Sequence, residues 1–162
     1  MEQKNVKFDA IFCQSFGRGK NGPGLSNECL AKSITEIQEK CAYNKPLIIQ
    51  KDCADAFPTE IKIDKIISEH QTPGKYLDSY EVSRQCLEYC LKNNIKTLLV
   101  FAHPAHIWRV QQTLENFGLK TIGVTCDVPY DPQSDQLWTR SKWLFIPWEL
   151  FARLSYIITR KI

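Results

Sequence analysis

His103, His106 and Arg109 stand close together in one short stretch, FAHPAHIWR, and carry the densest chemistry in the chain. Near neutral pH an imidazole can donate or accept a hydrogen bond, relay a proton or bind a metal. A guanidinium one helical turn beyond His106 adds a planar fork for a phosphate or carboxylate. This spacing suits anion binding, or acid–base work with His106 as the proton carrier. No carboxylate stands beside the two histidines as a local third ligand, so no metal site is expected there.

Three further loops offer partners. In Asp78-Ser79-Tyr80-Glu81, Asp78 and Glu81 match a capping box, which is a complete structural account; the alternative aims Ser79 and Glu81 at a ligand. The opening turn carries Ser15, Gly17 and Gly19, with Gly22 and Gly24 behind them. Glycines let a backbone approach a ligand closely, and a helix beginning near Ser26 would present free N–H groups to an anion. The turn lacks the third glycine of a dinucleotide fingerprint and the GK[ST] of a P-loop, so a surface turn is the competing account. The segment CDVPYDP (126–132) is placed to close over the site, with Asp127 as its polar contact.

These loops need a scaffold, and the hydrophobic pattern supplies one. Short apolar runs at 8–15, 46–50, 61–67, 96–103 and 120–126 read as strands. Between them lie helical segments: 26–42, capped by Ser26; 78–94; and 104–117, with Pro104 at its first position and Gly118 as its stop. The tail from Gln136 is helical and aromatic, broken or kinked at Pro147. Such alternation implies one α/β domain with a parallel sheet covered on both faces. Ligands of such sheets bind beyond the carboxyl ends of the strands, where all four loops fall.

Composition narrows the class. The chain has 162 residues, 43% hydrophobic and 24% charged, and its 21 basic and 18 acidic residues are well mixed. Disorder, collagen-like repeats and coiled coils are excluded, and no basic block marks a nucleic-acid partner. Seven cysteines without a CxxC pair read as reduced core thiols and point to the cytoplasm. Cys86 and Cys90, four apart, share a helix face where packing and metal binding are alternatives. Neither a signal peptide behind MEQKNVKFD nor a membrane-spanning stretch of ~20 apolar residues is expected.

The motifs, taken in order, resemble the ElyC/SanA/YdcF domain family, a bacterial group of Rossmann-like folds. Its opening D-x-[IV]-[IV] strand is similar to Asp9-Ala10-Ile11-Phe12, and its S-x-E-R-L helix to Ser26-Asn27-Glu28-Cys29-Leu30. Its T-x-E-N-A start is similar to Ser79-Tyr80-Glu81-Val82-Ser83, and its T-S-x-Y-H-x-x-R segment to the residues from Ala102 to Arg109. Its final H-E-x-x-A-R-L-x-Y helix is similar to Trp148-Glu149-Leu150-Phe151-Ala152-Arg153-Leu154-Ser155-Tyr156. Cys29, Val82 and Ala105 stand where the family has arginine, asparagine and an aromatic residue, and Gln50-Lys51-Asp52 where it has glycines.

The resemblance implies a Rossmann-like three-layer sandwich of about five mostly parallel strands, and a soluble YdcF-like member for which S-adenosylmethionine is a suggested ligand. The expected function is binding of an anionic, nucleotide-like or phosphorylated small molecule by Ser15, Gly17, Gly19, Ser79, Glu81, His103, His106, Arg109 and Asp127. One alternative is a transferase or hydrolase acting on a phosphorylated or envelope-precursor substrate, with His106 and Glu81 as acid and base. Another is a non-catalytic, envelope-related scaffold. The aromatic segment 136–162 is expected to pack on the sheet, with Glu149 and Arg153 as a surface pair; peripheral membrane contact through this helix is the alternative.

Overall fold

A computed structural model describes residues 7–41 and 44–161. The helix end expected at Ala42 and the chain start at residues 1–6 lie outside the described residues. Five short strands, β1 (Ala10–Cys13), β2 (Leu47–Gln50), β3 (Lys65–Ile67), β4 (Thr97–Phe101) and β5 (Lys120–Gly123), form one parallel sheet in the order β3-β2-β1-β4-β5. The helices are α1 (Leu25–Cys41), α2 (Lys51–Ala54), α3 (Ser79–Lys92), α4 (Ile107–Asn116) and α5 (Lys142–Ile158), with a 3-10 turn at Leu137–Thr139. The architecture is the expected Rossmann-like α/β sandwich.

The two-residue period of the strands explains the three layers. Phe12, Ile48, Leu98 and Val100 point to one face, where α3 and α4 cover them with Val82, Cys86, Val110 and Leu114. Ile11, Cys13, Ile49, Leu99 and Phe101 point to the other, against Leu30 and Ile34 of α1 and Cys53 of α2. Both faces are therefore apolar, and the strands read as continuous hydrophobic runs rather than alternating ones. Cys86 and Cys90 lie buried within the first layer. Among the described residues, no group of three or more His, Cys, Asp or Glu side chains is arranged to hold a metal ion.

Several expected boundaries move. The third strand keeps only Lys65–Ile67; Ile61 and Ile63 pack into the α1 side of the core from irregular chain. Helix α4 begins at Ile107 rather than Pro104, because residues 103–106 close a turn in which His106 N–H donates to His103 C=O at 2.8 Å. Ser26 does not cap α1. Its hydroxyl donates to Pro129 C=O at 2.7 Å, and the free Leu25 N–H donates instead to Asp131 Oδ2 at 3.0 Å. Pro147 neither breaks nor ends α5, which runs through it from the Ser141 cap; the cost is the N–H it lacks toward the carbonyl four residues back.

Gly17 and Gly24 hold the opening loop against the loop after β5. Gly17 has φ +67°, and a Cβ there would stand 2.5 Å from Thr139 Oγ1. Gly24 has φ +85°, and its added Cβ would meet Asp131 Oδ2 at 2.8 Å. Asp131 thus caps a helix more than a hundred residues upstream. Replacing it with alanine is expected to lower the unfolding free energy by about 1–2 kcal/mol, read as a shifted urea midpoint at constant slope.

Candidate functional site

The carboxyl ends of β1, β2 and β4 open into a cavity of about 240 Å³. The chain reverses its direction of winding between β1 and β4, the place where open parallel sheets hold ligands. Gln14, Ser15, Phe16 and Gly17 form the floor as β1 runs out, and Gln50 and Asp52 follow β2. Asp78 and Ser79 come from the start of α3, and His106 and Arg109 from the start of α4. The remaining wall is α5 and the turn before it, which contribute Trp138, Phe145, Trp148 and Tyr156.

Five of the expected residues therefore line one cavity: Ser15, Gly17, Ser79, His106 and Arg109. Four do not. His103 lies behind Phe16, their rings stacked at 3.9 Å, and its Nδ1 accepts from Ala105 N–H. Burial, with the His106 imidazole beside it, pushes its pKa down to about 4. Gly19 bridges to Gly22 and Ser134. Asp127 is exposed on its loop away from the cavity. Glu81 is pinned on the side of α3, where it accepts from Arg84 at 2.7 Å, Gln85 at 2.9 Å and Gln71 N–H at 3.1 Å. The Arg84 hydrogen bonds, above all, hold its carboxyl down at about 2. The capping box is half formed, since Asp78 accepts Glu81 N–H while the Glu81 carboxylate turns elsewhere. His106 and Glu81 are not an acid–base pair facing one ligand.

The acid that faces His106 and Arg109 is Glu149 of α5, only 4% exposed. It is not the surface partner of Arg153 alone. Arg109 Nε donates to both carboxylate oxygens at 3.1 Å and its NH2 to Oε2 at 2.9 Å, while Arg153 Nε donates to Oε1 at 3.0 Å. Burial by itself would raise the Glu149 pKa, but the hydrogen bonds and charge of Arg109 outweigh it and hold the group at about 2. Sequence reading missed this role. The available signal was a lone acid in an otherwise apolar and cationic helix, inside the family-like WELFARLSY segment.

Arg109 also fixes the chemistry of His106. Its NH2 lies 3.0 Å from His106 Nδ1, and a guanidinium can only donate, so Nδ1 must accept. Burial and the Arg109 charge lower the His106 pKa, so the ring is neutral and carries its proton on Nε2. That N–H faces the cavity, 3.4 Å from Ser79 Oγ. Ser79, His106 and Glu149 line up like a nucleophile, base and orienting acid, but this tautomer is the wrong one for taking a proton from Ser79. His106 acts as a hydrogen-bond donor to the cavity.

The anion site expected at the start of α1 is filled by the chain's own Asp131 carboxylate. Arg109, 5% exposed, already spends its fork on Glu149. With Asp52 and Asp78 at the walls, little uncompensated positive charge faces the cavity.

Acid should loosen this site in two stages. His103 and His106 have folded pKa values below their unfolded value near 6.5, so they bind protons on unfolding; their stabilisation is complete above that pH and fades as pH falls below it, for His103 toward about 4. Glu81 and Glu149, both at about 2 when folded, stabilise above their unfolded value near 4.5 and lose that contribution as pH falls toward 2. Urea midpoints should hold level from pH 8 to about 6.5 and fall from there to pH 3. Glu149→Gln should cost about 3 kcal/mol or more at neutral pH by leaving Arg109 buried without its counter-charge, and Arg109→Met with Glu149→Leu should recover much of it. Compared with protein-family models, curated proteins and solved structures, the chain matches none.

Proposed function

We propose that the protein is a YdcF-like small-molecule-binding domain whose cavity takes a nucleoside-like ligand. S-adenosylmethionine is the specific candidate that the family resemblance supplies. The observation that carries this reading is Gln14. Its side-chain oxygen is buried at the cavity floor with no hydrogen-bond partner among the described residues, and the residue is 2% exposed. An amide oxygen left unpaired in the interior costs about 1–3 kcal/mol, a cost that a ligand donor would remove. The amides of Gln50 and Gln136, the His106 Nε2–H and the Ser79 hydroxyl add donors and acceptors around it.

Phe16, Trp138, Phe145, Trp148 and Tyr156 offer flat apolar surfaces for a ring system. Asp52 and Asp78 suit hydroxyl groups or a cationic substituent. The volume lies near the small end of ligand cavities, fitting a base and sugar rather than a dinucleotide. Charge favours a neutral or zwitterionic ligand over a polyphosphate, because Glu149 already neutralises Arg109 and Asp131 closes the start of α1. Binding is favoured over turnover by the His106 tautomer and by the distance of Glu81 from the cavity.

Thermal-shift and calorimetric titrations with adenosine, S-adenosylmethionine, AMP and ATP test this. Adenosine or S-adenosylmethionine should raise the melting temperature, with ATP weaker than either. Gln14→Leu should weaken binding roughly tenfold while leaving the unliganded protein at least as stable, since the orphaned acceptor is gone. No shift from any of the four, or equal binding by Gln14→Leu, rejects the reading; a preference for ATP rejects its charge argument.

A further inference from the structure

Helix α5 presents the wrong residues to the outside. Trp143, 82% exposed, and Ile158, 72% exposed, mark its two ends, and Ile146, Leu150, Leu154 and Ile157 lie between them, all exposed. At 3.6 residues per turn the outward positions fill an arc of roughly 160° without one polar side chain. A helix packed on a sheet normally turns charged residues outward on that arc. Only its opposite edge, with Phe145, Glu149 and Tyr156, is buried. The buried edge does not lie on the sheet as expected: it meets Phe16 after β1, Tyr80 of α3 and Arg109 of α4, beyond the strand ends, and the rest of α5 is left unexplained.

The charges around this face point one way. Residues 136–162 contain five cations and a single acid, Glu149, which is buried and paired. Lys142 at the start of α5 and Arg160 just past its end are exposed. All four tryptophans of the chain belong to or border α5. Trp143 and Trp148 are on it, Trp138 stacks on Trp148 at 4.8 Å, and Trp108 lies 4.5 Å under the Arg153 guanidinium. Tryptophan rings and flanking cations over an apolar stripe suit the boundary between headgroups and acyl chains. A second copy seated antiparallel on this face would set Lys142 against Arg160, cation against cation with no exposed acid on the helix to pair them. Among the described residues no helix is long and apolar enough to cross a membrane, so α5 would lie along a bilayer rather than through it.

We propose that α5 docks flat on an anionic bilayer surface, with Trp143, Leu150 and Leu154 entering the acyl boundary and Lys142 and Arg160 meeting the headgroups. This does not rest on the nucleoside reading of the cavity. The test uses the full chain with vesicles of phosphatidylcholine, alone or mixed with phosphatidylglycerol, read by flotation and by tryptophan emission.

Flotation with the mixed vesicles and a blue-shifted emission are expected, both weakening as salt rises. Lys142→Gln with Arg160→Gln should lower partitioning into mixed vesicles roughly tenfold. Leu150→Ser with Leu154→Ser should abolish it at an unchanged far-ultraviolet spectrum, since both side chains are exposed in the folded protein. The proposal is overturned by absence of binding to mixed vesicles or by equal binding to neutral ones. It is also overturned by a dimer, seen in sedimentation equilibrium and lost in the double serine variant, that ignores vesicles.

Discussion

The Glu149 carboxylate, buried between Arg109, Arg153 and His106, is the contact on which the site depends. Helix α5 is apolar around most of its circumference, so hydrophobic burial alone gives it no strong preference for one face over another. A carboxylate that must find Arg109 does discriminate, because any other rotation would leave the buried guanidinium without its counter-charge. The ion pair therefore fixes which edge of α5 turns inward, and with it the positions of Phe145, Trp148 and Tyr156 as cavity walls. Tyr156 adds a second fastening, its hydroxyl accepting Tyr80 N–H at 3.0 Å while burial pushes its pKa up to about 12.

The floor of the cavity obeys the same rule that buried polar groups find partners. Asn27 alone serves three backbone groups, accepting from Phe16 N–H at 2.9 Å and donating to the Gly17 and Pro23 carbonyls. Ser134 and Thr139 bond each other at 2.7 Å beneath Gly17. Gln50 takes the Ser15 N–H. Four buried side-chain atoms among the described residues lack a partner, on Gln14, Gln38, Ser83 and His103, and of these only the Gln14 oxygen belongs to a residue lining the cavity, at the point where the sheet ends.

Much of the scaffold was legible because its signals are local. Leu98 to Phe101 can only be a buried strand, and Asp78 announces the start of α3 with its own side chain. What sequence could not place were contacts made across long separations: Asp131 displacing Ser26 as the cap of α1, and Glu149, rather than Glu81, as the acid beside His106 and paired with Arg109. Capping and pairing signals name the kind of group required but not which distant segment supplies it. His103 misled for a related reason. The end of a central strand is the right place for a site, yet two residues of turn were enough to put its ring behind Phe16.

The register of the central strand has a kinetic consequence. β1 pairs with β4, Ala10 opposite Leu98, so the middle of the sheet waits on a segment nearly ninety residues downstream. Parallel pairing over such separations is slow, because the entropy of closing the loop is lost before the contacts form. Arg109 can receive Glu149 only after β4 and α4 are in place. The cavity, walled by the starts of α3 and α4 and by α5, is complete only when all three are in place, so its formation depends on the pairing of widest sequence separation in the sheet.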